Sequence, residues 1–177
     1  MITLLFLSNP FNGETLMHAL EIIAQAPLGA IIKFSNGQPK PSARFTRKLA
    51  EWEHNNGIGQ LTEKRQKHLV GIYHSIPQFT LQMGNYVSNS IELIQFYRVF
   101  SENGQFDFRI HAVPDQGSFL ILRHNDRIQS VELLHVSASR TDAEQWLTQT
   151  GIGTQSFKKF RHSWNPRPQR RSINEIR

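Results

Sequence analysis

The sequence predicts an α+β domain: a curved antiparallel β-sheet of four or more strands in a meander, about three helices packed on one face, and a flexible basic C-terminal arm. Three observations carry this expectation. From Phe106 to Val113 the chain alternates, with Phe106, Phe108, Ile110 and Ala112 against Asp107, Arg109 and His111; this is the period of a strand with one buried face. Segments 14–25, 42–56 and 141–150 carry helical spacing instead. Beyond Pro166 apolar residues give way to arginine. The domain is expected over 1–165 and the arm over 166–177.

Taken in order, Ile2 to Leu7 is an apolar run too short for a membrane span or a signal-peptide core, and reads as a buried strand. Asn12-Gly13 turns the chain. Glu14 to Gln25 places Leu16, Leu20 and Ile23 on one helical face, and Pro27 and Gly29 close it. Ala30 to Phe34 is a short apolar strand. Gly37, Pro39 and Pro41 enforce a loop, after which Ser42 is the expected cap of a helix. Phe45, Leu49 and Trp52 share one face of it, and Asn55-Asn56-Gly57 ends it.

From Gly59 the chemistry turns to β. Gln60 to Gln66 reads as a polar edge strand, open to pairing with a second copy of the chain. Leu69 to Ile76 alternates up to Pro77, and Phe79 and Leu81 continue the pattern. Met83-Gly84-Asn85 and Ser88-Asn89 carry turn chemistry. Ser90 to Phe100 is apolar on both faces and reads as a central strand. Glu102-Asn103-Gly104 predicts a hairpin. Phe119 to Arg123 and Ile128 to Val136 are two further strands joined near Asn125-Asp126. Thr141-Asp142-Ala143-Glu144 matches a capping box, and Gly151 ends the helix it opens. Phe157, Phe160 and Trp164 are spaced three and four apart, as in a short amphipathic helix docked on the sheet.

Charge is segregated along the chain. Of the net +6, residues 33–67 hold eight Lys/Arg against three Glu, a net +5, and residues 157–177 hold seven against one, a net +6. The remainder is acidic. Segregated positive charge is the footprint of a polyanion partner, of which nucleic acid is the commonest. Arg44, Arg47 and Lys48 fall in the first half of the central helix, where the dipole is already positive; a phosphate there would meet amides, dipole and cations together. Lys40 precedes them, and Lys64, Arg65 and Lys67 would extend the surface. Lys158, Lys159 and Arg161 interleave with the terminal aromatics. Trp164 could stack on a base, and Arg167, Arg170 and Arg171 would reach phosphates from the arm.

The expected function is therefore nucleic-acid binding, to DNA or RNA, by a non-catalytic accessory or regulatory protein in a bacterial or mobile-element setting. Solvation of ordinary helix faces accounts for some of the same cations. No P-loop, dinucleotide fingerprint or zinc pattern is present, so no cofactor and no metal are expected. The absence of cysteine removes disulfides and thiolate chemistry and fits a reducing, cytoplasmic location. Two alternatives stand beside this reading. One is a phosphodiester-cleaving enzyme in which His111, His124 or His135 converges with Asp107 or Glu132 on one sheet face. The other is a basic inhibitor or adaptor directed at an acidic protein.

Overall fold

The computed structural model describes residues 16–88, 91–151 and 156–159. Among them the chain is α+β, with three helices and a mainly antiparallel sheet. The elements run α1 (Ala19–Gln25), β1 (Ile31–Ser35), α2 (Thr46–Asn55), β2 (Gly57–Arg65), β3 (Leu69–Val70), β4 (Tyr73–His74), β5 (Gln78–Ser88), β6 (Ile91–Ser101), β7 (Asp107–Ala112), β8 (Phe119–Asn125), β9 (Ser130–Ser137), α3 (Arg140–Thr150) and β10 (Ser156–Lys159).

The sheet is built on β2. One edge of β2 pairs with β1 through Gly57 to Gln60 and with β9 through Glu63 to Arg65. Its other edge pairs with β5 over Gln60 to Arg65. The sheet therefore forks: β1 leads to β7, β9 leads to β8 and β10, and β5 leads to β6. The expected polar edge strand at Gln60 to Gln66 is thus the centre of the sheet, and it offers no open edge to a second copy. Its polar groups are satisfied inside the fold: Thr62 Oγ1 donates to Thr80 O at 3.3 Å, and Lys64 Nζ donates to Ile23 O at 3.0 Å. Gly59 permits the close approach of β5, since a Cβ there would lie 2.9 Å from Gln82 O and 3.0 Å from Leu81 Cβ.

The core lies between α1 and strands β1, β2, β5, β6 and β7. Ile22, Ile32, Phe34, Leu61, Phe79, Leu81 and Phe108 are fully buried, each stabilising the fold by about 1.5–3 kcal/mol. Phe34, Phe79, Phe100, Phe106 and Phe108 form a continuous ring cluster with centroids 4.9–6.5 Å apart, mostly tilted or edge-on. A smaller cluster of Leu120, Leu122 and Leu133 meets it through Leu28 and Val113.

Several elements match the sequence reading. β1, β7, β8 and β9 fall close to the strands the sequence predicts, and β7 alternates as expected, with Phe108 and Ile110 buried and Arg109 and His111 exposed. Gly151 closes α3 in the left-handed conformation, φ 63°. Others differ. α1 begins at Ala19, and Met17 instead exchanges backbone hydrogen bonds with Phe108, both 2.9 Å. Leu16 and Leu20 are exposed. α2 starts at Thr46 without a side-chain cap: Ser42 lies four residues earlier, in a turn closed by Phe45 N donating to Ser42 O at 2.9 Å, and Phe45 takes the cap position.

Leu69 to Ile76 is a small hairpin, β3–β4, turned by Gly71 at φ 63°. Met83 to Asn85 is no turn: β5 runs through it with a bulge between Gln82 and Gly84. β6 pairs with β5 alone among the described strands, so it is an edge and not a centre, and Ile94, Phe96, Tyr97 and Val99 are exposed. Glu102 to Gly104 turns the chain, with Gly104 N donating to Ser101 O, yet β6 and β7 do not pair; β7 crosses to β1. α3 is capped by Ser139, whose Oγ accepts from Asp142 N at 3.1 Å, two residues before the expected Thr141. Residues 156–159, expected to open a terminal helix, form β10 against β8. The expected first strand, the turn at 89, the end of the domain from 160 and the arm over 166–177 lie outside the described residues.

Candidate functional site

α2 is the unusual element. Ten residues long, it buries no side chain, and a helix of that length is marginal in water without packing. Contacts at its carboxyl end hold it in place. Arg98 of β6 lies over Phe34, Phe100 and Phe106, its guanidinium carbon 5.0–5.1 Å from the ring centroids. From there it donates to His54 O and, at 3.5 Å, to Asn55 Oδ1. A cation on the last carbonyls of a helix complements its dipole. Partial burial pushes the guanidinium below its ordinary range, but the group remains charged at neutral pH. Asn56 completes the anchor: its Nδ2 donates to Trp52 O and to Asn36 Oδ1, both 2.9 Å, and its Oδ1 accepts from Ser35 Oγ at 2.5 Å.

With its far end held, α2 presents a surface of cations and aromatics. Lys40 Nζ lies 5.4 Å from the Trp52 ring, Arg44 4.6 Å from Phe45 and Lys48 5.5 Å from Phe45. Trp52 Nε1 donates to Gln38 O at 2.8 Å, tying the preceding loop to the helix. Phe45 is 44% exposed. The shared face of Phe45, Leu49 and Trp52 is real, yet it serves this loop and the cations instead of the core. Arg47 is exposed, and no acidic residue stands in the first turn. The amino end of α2 is thus uncapped and surrounded by positive charge.

A second basic feature adjoins it. Lys33 of β1 and Arg109 of β7 are direct cross-strand partners and both are exposed. Like charges placed opposite one another destabilise a sheet. They line a cavity of about 240 Å³ together with Ser35, Asp107 and Gly37, the last belonging to the loop that leads to α2. Neither cation has an ion pair among the described residues. Sequence reasoning did not single this pair out. The available signal was a lysine inside the apolar run Ala30 to Phe34; its partner depends on a register that spacing does not reveal.

The remaining expected site residues divide. Lys67 is exposed beside β3. Lys64 reaches the carboxyl end of α1, and Arg65 pairs with Glu63 at 3.1 Å, so both are half-buried and engaged within the fold. Lys158 and Lys159 sit on β10, in register with Leu120 and Phe119. Arg161, Trp164, Arg167, Arg170 and Arg171 lie outside the described residues.

The histidines do not converge. β2 and β1 separate β7, carrying His111, from β8 and β9. On those strands His124 pairs with Val131, whereas His135 pairs with Ile121, toward the other end of the hairpin. Glu132 is occupied by Arg123 at 2.5 Å. No group of three metal-ligating side chains occurs among the described residues, and no described helix is long and apolar enough to cross a membrane.

Comparison with known proteins adds one finding. The family model described as uncharacterised conserved protein UCP036055 matches residues 17–162. No curated protein and no solved structure matches the chain.

Proposed function

The chain belongs to the uncharacterised conserved protein family UCP036055, and on the geometry of its basic surface we propose that it binds nucleic acid without catalysis, as an accessory or regulatory protein. The observation that carries this reading is α2. A helix that buries nothing contributes little to the core, yet three residues of the fold, Arg98, Asn56 and Ser35, are committed to holding it. The face it displays combines cations with the aromatic rings of Phe45 and Trp52, the two elements of single-strand recognition. Arg44, Arg47, Lys48 and Lys40 would contact phosphates at the helix start, and Lys33 with Arg109 would take a further phosphate in the adjoining cavity. The basic residues of the chain end would add to the same charge.

Equilibrium titration against labelled single-stranded DNA, duplex DNA and RNA at several salt concentrations tests this. The full chain should bind with affinity that falls linearly in log salt. Replacing Arg44, Arg47 and Lys48 with alanine should reduce that slope by roughly 2–3. Absence of binding to all three at low salt would overturn the proposal.

A second reading, docking on another protein, is favoured by the β3–β4 hairpin, where Ile72 is 84% and Tyr73 73% exposed. It becomes the preferred reading if the titration fails.

A further inference from the structure

On the face of the sheet away from Leu61 and Leu81, a polar groove of about 370 Å³ runs between β2, β5, β6 and β9. Register fixes which residues share it. Gln60 pairs with Gln82, Gln82 pairs with Tyr97, and Gln95 lies two residues from Tyr97, so all four project to one face. His135 of β9 forms part of the opposite wall. One side of its ring is covered by Trp146 of α3, with centroids 4.9 Å apart and planes 5° apart.

The amides of the groove are partly committed, and in complementary ways. Gln60 Nε2 donates to Gly29 O at 3.4 Å, which leaves its carbonyl as an acceptor. Gln95 Oε1 accepts from the Tyr97 hydroxyl, which leaves its NH₂ as a donor. The Gln82 side-chain amide has no hydrogen-bond partner among the described residues and can do both. The groove therefore offers donors and acceptors side by side, against an imidazole backed by indole; Tyr97, 53% exposed, does not line it but neighbours it as the cross-strand partner of Gln82. Burial lowers the His135 pKa, so this wall adds no charge at neutral pH.

We propose that this groove binds an unpaired nucleobase: Gln60, Gln82 and Gln95 hydrogen-bond its edge, and Tyr97 and His135 contact its faces. An amide can meet a base edge with a donor and an acceptor at once, and bases are read in this way only when unstacked and unpaired. The inference rests on the proposed nucleic-acid function and refines it, because it assigns single strands as the ligand. Gln60 is three residues along β2 from Gly57, where α2 hands over to the sheet. That is about 10 Å, to which the ten-residue helix adds up to about 15 Å before its amino-end cations, a span that several nucleotides of extended strand can cover.

The test compares a single-stranded oligonucleotide with an abasic strand of the same length and charge, using the full chain and its Gln82→Ala/Gln95→Ala variant. The parent protein should bind the ordinary strand about ten-fold tighter. The variant should lower that preference several-fold while keeping the parent's salt slope, since the rings and the phosphate contacts are untouched. Equal binding of both strands by the parent, with the usual fall in salt, would overturn the groove and leave the proposed function standing. So would a variant that retains the preference in full. Binding of neither strand would overturn the function and this inference together.

Discussion

His135 shows what one residue contributes and how much of it is local. Its imidazole lies flat on Trp146, and burial holds its pKa below the ordinary 6.5. The unfolded chain thus binds a proton at a pH where the folded chain does not. Stability from this group is fully present above about pH 6.5 and is lost as pH falls through the folded value. The thermal midpoint should therefore decline on acidification from pH 7 to 5.5, and His135→Phe, which keeps a stacking ring and removes the titration, should decline less. Identical pH profiles by circular dichroism would exclude the assignment. The sequence placed His135 on a strand but grouped it with His111 and His124, because alternation says which residues face outward and not which strands are neighbours. Ser139 teaches the same lesson. Ser139 and Thr141 both bring a hydroxyl to the start of α3, and where β9 ends decides which one caps it. By contrast, the burial of Phe108 and Ile110 was readable, since period two is a property of the strand itself.

At the scale of elements, Arg98 is the side chain of β6 that ties α2 to the sheet, beside the Asn56 and Ser35 anchor. Arg98→Met would keep the apolar stem over Phe34, Phe100 and Phe106 but remove the donors to His54 O and Asn55. Charge-assisted bonds in a partly exposed setting contribute roughly 1–2 kcal/mol. Hydrogen exchange should then show α2 losing protection while β2 and β5 keep theirs. Uniform loss across all three would mean that Arg98 supports the core generally and is not a latch for the helix. α2 was legible in its helical spacing, whereas the roles of two strands were exchanged. β2 looked like an edge because it is polar, and β6 like a centre because it is apolar. Edge and centre are facts of backbone pairing, and composition reports on side-chain surroundings. The polar groups of β2 find partners 18 and 41 residues away, and no local pattern announces them.

For the molecule as a whole, charge segregation was legible from composition, whereas the surface it forms required the fold. Arg44, Arg47 and Lys48 stand together in sequence and on α2. Lys33 and Arg109 are far apart in the chain and become neighbours only through the crossing of β7 to β1. Lys64 and Arg65 turn inward on the one strand that the whole sheet shares. The charge that remains outside the described core is concentrated in residues 157–177, net +6. If this charge and α2 act on one polyanion, their effects on the salt slope should add, as they do for distant independent sites. Removing 166–177 takes away four arginines and one glutamate and should lower the slope by roughly 2–4. Combined with alanine at Arg44, Arg47 and Lys48, it should lower the slope by the sum of the two changes, leaving the part due to Lys40, Lys33 and Arg109. The thermal midpoint should hold through the truncation, because the main core cluster draws on Met17 to Ile110. A truncated chain with the parent's affinity and slope would confine the interface to α2 and the β1–β7 cavity.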